Sequence, residues 1–179
     1  GTTLARILAS ARRRKQKLPD EVVFHVAHRL VSAIAHAHGM ADEDGQRTPV
    51  VHRSISPASI QVGWGGEVRL SGFGLAKIMG RSPDTAVGLV QGSLRYLAPE
   101  TLENGVADPR SDLYSLGLVL YGLLAGEHPF GGATRSLRQW LSIHRRGRMR
   151  PLSQVRPDVP DALVEARAPP LLGRHVRGR

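Results

Sequence analysis

Serine, histidine and glycine, not cysteine, carry the reactive possibilities of this 179-residue chain, and they fall in a few short runs. Val51-His52-Arg53-Ser54-Ile55-Ser56-Pro57-Ala58-Ser59-Ile60 offers an imidazole and three hydroxyls. A serine becomes a nucleophile when a neighbouring imidazole takes its proton and a third group orients that imidazole. His52 and Ser54 lie two apart, but no orienting acid is evident, so a triad is disfavoured. Ser115 and Gly117 supply half of a G-x-S-x-G elbow, yet Leu113 stands at the first glycine and the segment continues as helix. Gly63-Trp64-Gly65-Gly66 and Gly72-Phe73-Gly74 both fall short of G-x-G-x-x-G, because Val68 and Lys77 occupy the last place. His36 and His38 point in different directions on a helix. His25 and His28, one turn apart, could hold a metal only with further ligands. Zero cysteines exclude a disulfide framework, a thiolate metal site and a thiol nucleophile.

The elements that must position these runs are mostly helical. Thr3 to Lys15 reads as a short helix with a charged second half. Pro19 and Asp20 open a longer one, since proline is tolerated in the first turn and aspartate suits that end of the dipole. Val23, Val26, Ala27, Leu30, Ile34 and Ala37 recur at helical spacing and predict one buried face, and Gly39 closes the helix. Ala41 to Pro49 is a polar surface loop. Ser59-Ile60-Gln61-Val62 and Glu67-Val68-Arg69-Leu70 flank a glycine-rich turn and read as a hairpin. Met79 to Val90 has no period and reads as a mobile loop. Leu113 to Leu124 is apolar nearly all round, so it is expected at the buried centre, with Gly126 and Pro129 stopping it. Thr134 to Arg145 is an amphipathic helix and Pro160 to Glu165 the start of another. After Ala166 the chain turns to proline, glycine and arginine. The expected class is α+β, mainly α, with a small β hairpin.

The reactive runs also fall in a telling order. His52-Arg53-Ser54 is followed by Gly72-Phe73-Gly74-Leu75, by Gly92-Ser93-Leu94-Arg95-Tyr96-Leu97-Ala98-Pro99-Glu100 and by Asp112-Leu113-Tyr114-Ser115-Leu116-Gly117. This order and spacing resemble the C-terminal lobe of a serine/threonine protein kinase, from about Gly1 to about Ala166. The resemblance implies a lobe over residues 1–165, without the family's N-terminal lobe, and a basic, disordered tail over 166–179. It implies that His52 and Phe73 stack in a regulatory spine, with Arg53 and Gly74 in the same structural set. Asp112 would hold the catalytic-loop backbone. Gly92, Ser93, Tyr96, Ala98, Pro99 and Glu100 would shape a peptide-docking loop. Glu100 would pair with an arginine of a late helix, for which only Arg174 or Arg177 remain.

The same resemblance puts Ser54 at the catalytic aspartate, Ser56 at the catalytic-loop lysine, Ser59 at the asparagine metal ligand and Gly72 at the metal-binding aspartate. Phosphoryl transfer needs a positioning carboxylate, a cation on the γ-phosphate and oxygen ligands for magnesium. A positioned base contributes ~10²–10⁴-fold, and serine at neutral pH is neither an effective base nor an anionic ligand. Glu67 and Asp84 are not placed to compensate, and Gln61 falls where the family has an apolar residue beneath adenine. The expectation is therefore a pseudokinase-like chain that is no enzyme, with no intact catalytic residue, no metal and no cofactor. It would act as a protein-binding or regulatory scaffold. One alternative is an atypical ATP-dependent kinase, using magnesium, whose nucleotide-binding lobe is supplied elsewhere; another is a degenerate gene product.

Charge supplies the remaining alternative. The formal charge is +10, and Arg135 to Arg179 holds eleven arginines against Asp158, Asp161 and Glu165. Such a stretch suits nucleic acid or an acidic membrane surface, but Trp140 is the only aromatic residue within it, which argues against nucleic acid. Leu113 to Ala125 is far short of the ~20 apolar residues that a membrane span needs. A cytoplasmic protein without membrane contact is expected. The face of Gly1–Ala9, Ile60, Val62 and Phe73, and a second patch beside Leu120 and Leu124, are expected to be bare. They would need a protein partner, either a separate lobe-bearing protein or a second copy.

Overall fold

The spacing of apolar residues on one helix sets the first layer. A computed structural model describes residues 1–73, 93–131 and 136–159, and α2 (Asp20–His38) buries Val23, Val26, Leu30, Ile34 and Ala37 on one face. Its N-cap is Pro19, so the helix proper begins at Asp20, whose carboxylate and that of Glu21 sit at the positive end of the dipole. Before it, β1 (Thr2–Thr3) leads into α1 (Leu4–Arg13), and the Thr3 hydroxyl accepts the Arg6 N–H at 3.3 Å as an N-cap.

The expected hairpin forms from β2 (Ile60–Val62) and β3 (Val68–Leu70), antiparallel with Ile60 opposite Leu70 and Val62 opposite Val68. Gly66 takes φ 87° in the connecting turn, where a side chain would be strained. Among the described residues the sheet has three strands rather than two, because β1 pairs with β2 through Thr2–Val62 and Thr3–Gln61. A two-residue strand is too short for any alternation to announce it.

A 3-10 turn (Leu94–Tyr96) and α3 (Pro99–Asn104) precede the central helix α4 (Pro109–Ala125). Leu116, Leu118, Val119 and Leu123 of α4 are buried and pack on α2. The expectation of burial all round is corrected at its start, since Leu113 is 49% exposed. Ile60 is also buried, not bare as expected, because Leu4, α2 and α4 cover it in one core. Asp108 caps α4 in a reciprocal box. Its carboxylate accepts from Arg110 N–H at 2.7 Å and Ser111 N–H at 3.1 Å, while the Ser111 hydroxyl accepts from Asp108 N–H at 3.2 Å. Asp108→Ala is expected to lower stability by about 1 kcal/mol, read as a fall of roughly 2–4 °C in the thermal midpoint. An unchanged midpoint would show that the box contributes nothing.

The last described elements are α5 (Leu137–Arg146), which begins three residues beyond the expected start, and α6 (Leu152–Val155). Ser136 and Gln139 form a second capping box on α5. One arginine of the basic stretch is structural. Arg156 is 7% exposed and donates to the Leu124 carbonyl at 3.0 Å, to Asp20 at 2.9 Å and to Asp158 at 2.6 Å. It thereby ties the end of α4 to the start of α2, and its hydrogen bonds hold the Asp158 carboxyl down to about 2. The expected loop at Met79–Val90, the helix from Pro160 and the tail after Ala166 lie outside the described residues.

Candidate functional site

Between α2 and the sheet, the chain from Val51 to Ser59 crosses the N-terminal end of α4, and one carboxylate governs its shape. Asp112 is 1% exposed. Its Oδ2 accepts the His52 N–H at 2.7 Å and its Oδ1 the Arg53 N–H at 2.8 Å. His38, at the end of α2, donates from Nε2 to the same Oδ2 at 2.9 Å. Arg53 has φ 73°, a left-handed conformation that costs a residue with a Cβ roughly 1–2 kcal/mol. Two charge-assisted bonds from the flanking amides hold it there. Nothing local in the sequence signals this contact, because 74 positions separate His38 from Asp112.

His52 is wholly buried, and burial pushes its imidazole below the ordinary value. Its partners set the tautomer. Nε2–H donates to the Ser71 carbonyl at 3.0 Å, and Nδ1 accepts the Ser54 N–H at 3.3 Å. The ring meets Phe73 edge-on, with centroids 4.6 Å apart, while Phe73 keeps 40% of its surface exposed. Ser54 is half-buried, and its hydroxyl has no hydrogen bond among the described residues.

Ser56 and Ser59 face each other instead of solvent. The Ser59 hydroxyl donates to the Ser56 carbonyl at 2.9 Å and accepts the Ser56 N–H at 3.1 Å, closing a tight turn. Ser71 fastens that turn to the end of β3, its hydroxyl donating to the Ser59 carbonyl at 3.0 Å. Gly72 follows at φ 92°. The Ser56 and Ser93 hydroxyls lie 3.4 Å apart, which brings the following loop against this one. Tyr96, Ala98 and Pro99 are buried there, and Glu100 accepts the Ser111 hydroxyl at 2.7 Å. Gly74 and Gly92, like Arg174 and Arg177, lie outside the described residues. His25 donates from Nε2 to the Gly66 carbonyl at 2.7 Å rather than pairing with His28 toward a metal.

Magnesium requires oxygen ligands of net negative charge. Ser59 spends its hydroxyl on the turn and Gly72 has no side chain, so these positions do not fit the ion. Among the described residues, no three of His, Cys, Asp and Glu converge as a metal site. No helix among them is long and apolar enough to cross a membrane.

The model of the protein kinase domain matches residues 1–165. The chain belongs to the protein kinase family. Over 163 residues it is 32% identical to the tyrosine-protein kinase MasK of Myxococcus xanthus, covering 91% of this chain and 25% of that protein. It is 31% identical over 166 residues to serine/threonine-protein kinase A of Synechocystis, 90% of this chain and 32% of the relative. With the serine/threonine-protein kinase PrkC of Bacillus subtilis it shares 38% over 114 residues, 64% of this chain and 16% of that one. The chain thus spans between a sixth and a third of the length of these relatives. These matches correct one expectation. Substitution at Ser54, Ser56, Ser59 and Gly72 suggested that the chain is no enzyme, but its family is that of the kinases and its relatives are named as such.

Proposed function

We propose that this chain is the protein-docking lobe of an ATP-dependent serine/threonine protein kinase, acting with a nucleotide-binding lobe outside these residues. The Asp112 clamp carries the reading. A buried carboxylate holds the His52–Arg53 backbone in a strained turn that leads into half-buried Ser54, while Ser56, two residues on, meets Ser93. A lobe with no task at that loop would have no need to keep such strain.

Phosphoryl transfer passes through a loose transition state, so the protein's work is largely positioning and electrostatics. The Ser54 hydroxyl can hydrogen-bond an incoming acceptor hydroxyl and hold it in place, but it cannot take up its proton at neutral pH. The groups that bind the nucleotide and its metal come from outside the described site, because Ser59 and Gly72 do not supply them. A lobe-bearing partner would meet this chain beside Phe73, whose ring is partly exposed. The absence of cysteine and the need for ATP suit the cytoplasm.

The test joins the nucleotide-binding lobe of a matched relative to Gly1 and follows label from the γ-phosphate of ATP onto an acceptor protein. Transfer above background is expected, and Ser54→Ala should slow it without moving the melting temperature. Background transfer by a fusion that folds and binds ATP would overturn the proposal.

A further inference from the structure

Away from the clamp, α1 and the entry to α2 border an open groove of about 840 Å³ that reaches Trp64 in the β2–β3 turn. Arg6, Arg13, Arg14 and Lys17 line it, and none of its lining residues is acidic. Arg6, Arg13 and Arg14 form no ion pair among the described residues. Two acids near the groove, Asp20 and Asp158, are held by Arg156, while Glu67 of the hairpin is exposed and in no ion pair among the described residues. Half-buried Ile7 and Leu18 supply apolar lining between the cations.

The scaffold of this groove is firm. Arg12, at the back of α1, donates to the Gly126 carbonyl at 3.2 Å and anchors the helix end to α4. Lys15 adopts φ 55°, and main-chain bonds from Lys15 N–H to Arg12 O (3.1 Å) and Gln16 N–H to Ala11 O (2.9 Å) close the helix in that conformation. Arg13 and Arg14 are thus presented from a capped helix end rather than a loose loop. Trp64 is 90% exposed, an unusual place for the largest apolar side chain.

We infer that this groove binds an acidic segment of a partner protein, with an apolar side chain set between its carboxylates. Uncompensated arginines give the charge complementarity, and arginine with tryptophan is the pairing that concentrates binding energy at protein interfaces. Single-stranded nucleic acid needs successive aromatic platforms, whereas Trp64 is the one aromatic residue lining the groove. The inference does not depend on phosphotransfer.

The experiment titrates the full chain into a fluorescein-labelled peptide of repeating Glu-Glu-Leu, with a Lys-Lys-Leu peptide and oligothymidylate as comparators. Saturable binding of the acidic peptide alone is expected, weakened about tenfold by Arg13→Glu with Arg14→Glu and by high salt. Tryptophan emission should shift to the blue on saturation, a change lost in Trp64→Ser but not dependent on buried Trp140. Thermal melts verify that both variants fold. No saturable binding of the acidic peptide, or binding indifferent to the two charge reversals, would overturn the inference. So would oligothymidylate displacing the peptide through the same arginines.

Discussion

Asp112→Ala is expected to lower stability by about 4 kcal/mol, through two main-chain N–H groups left without an acceptor. The wild-type carboxylate accepts from His52 N–H, Arg53 N–H and His38 Nε2–H at 2.7, 2.8 and 2.9 Å. Among the described residues no other acceptor is bonded to those two amides, and His52 and Asp112 are closed to water, so each loss approaches the full desolvation penalty. The left-handed turn at Arg53 then has nothing to hold it. At roughly 2–4 °C per kcal/mol, the thermal midpoint should fall by about 8–16 °C. Asp112→Asn keeps one carbonyl oxygen and should lose about half as much. Hydrogen exchange at His52 and Arg53 should accelerate in both variants. A loss below about 1 kcal/mol in the alanine variant would show that the loop is held by other means.

Acidification is expected to unfold the chain between about pH 6 and pH 4, through two histidines in the aromatic cluster between α4 and α5. His128 is 3% exposed and packs on Tyr96, Phe130 and Trp140, with Nε2–H donating to the Arg95 carbonyl at 3.1 Å. His144 is wholly buried, and its Nδ1 accepts the Tyr114 hydroxyl at 2.6 Å. Burial pushes His128 down to about 3, with the Arg95 guanidinium and His144 adding to it. Burial likewise pushes His144 down to about 4, opposed by the Arg95 main chain.

Both folded values lie below the unfolded value of 6.5, so the unfolded chain binds more protons in the interval. The stabilisation from neutral imidazoles is full above pH 6.5 and is lost as pH falls toward the folded values. Two groups give a slope near 2.7 kcal/mol per pH unit, or about 5 kcal/mol between pH 6.5 and 4.5, which rivals the whole stability of a small domain. Urea midpoints across that range measure it. His144→Gln should flatten the slope by about half. Equal midpoints at pH 7 and pH 4.5 would show that the cluster admits protons without opening.

Helices were the legible part of this fold, because their signal is local and repeated. Val23, Val26, Ala27, Leu30, Ile34 and Ala37 mark one face of α2, and all are buried except Ala27, which is half-buried. Caps were legible in the same way at Gly39 and Gly126. Strand β1 was not, since two threonines carry no period and become a strand only by meeting Val62 and Gln61. Leu113 shows the converse limit. Its type argues for burial, but in the second turn of α4 it stands on the exposed face that it shares with Gly117.

At the site, chain order alone established the family, since four runs at matching separations persist even where the reactive side chains differ. Residue type alone also established that Ser54, Ser59 and Gly72 bring no carboxylate. What those residues do instead was decided only by the fold. The Ser56–Ser59 turn, the Nε2–H tautomer of His52 and the capture of Asp112 by His38 each join groups whose contact depends on exact placement. The same is true of Arg156, one of eleven arginines in its stretch and indistinguishable from them until Asp20, Leu124 and Asp158 converge on it. Periodicity reports which face of an element meets the core. It carries no information about which distant polar group waits there, because a hydrogen bond forms between atoms within about 3 Å whatever their separation along the chain.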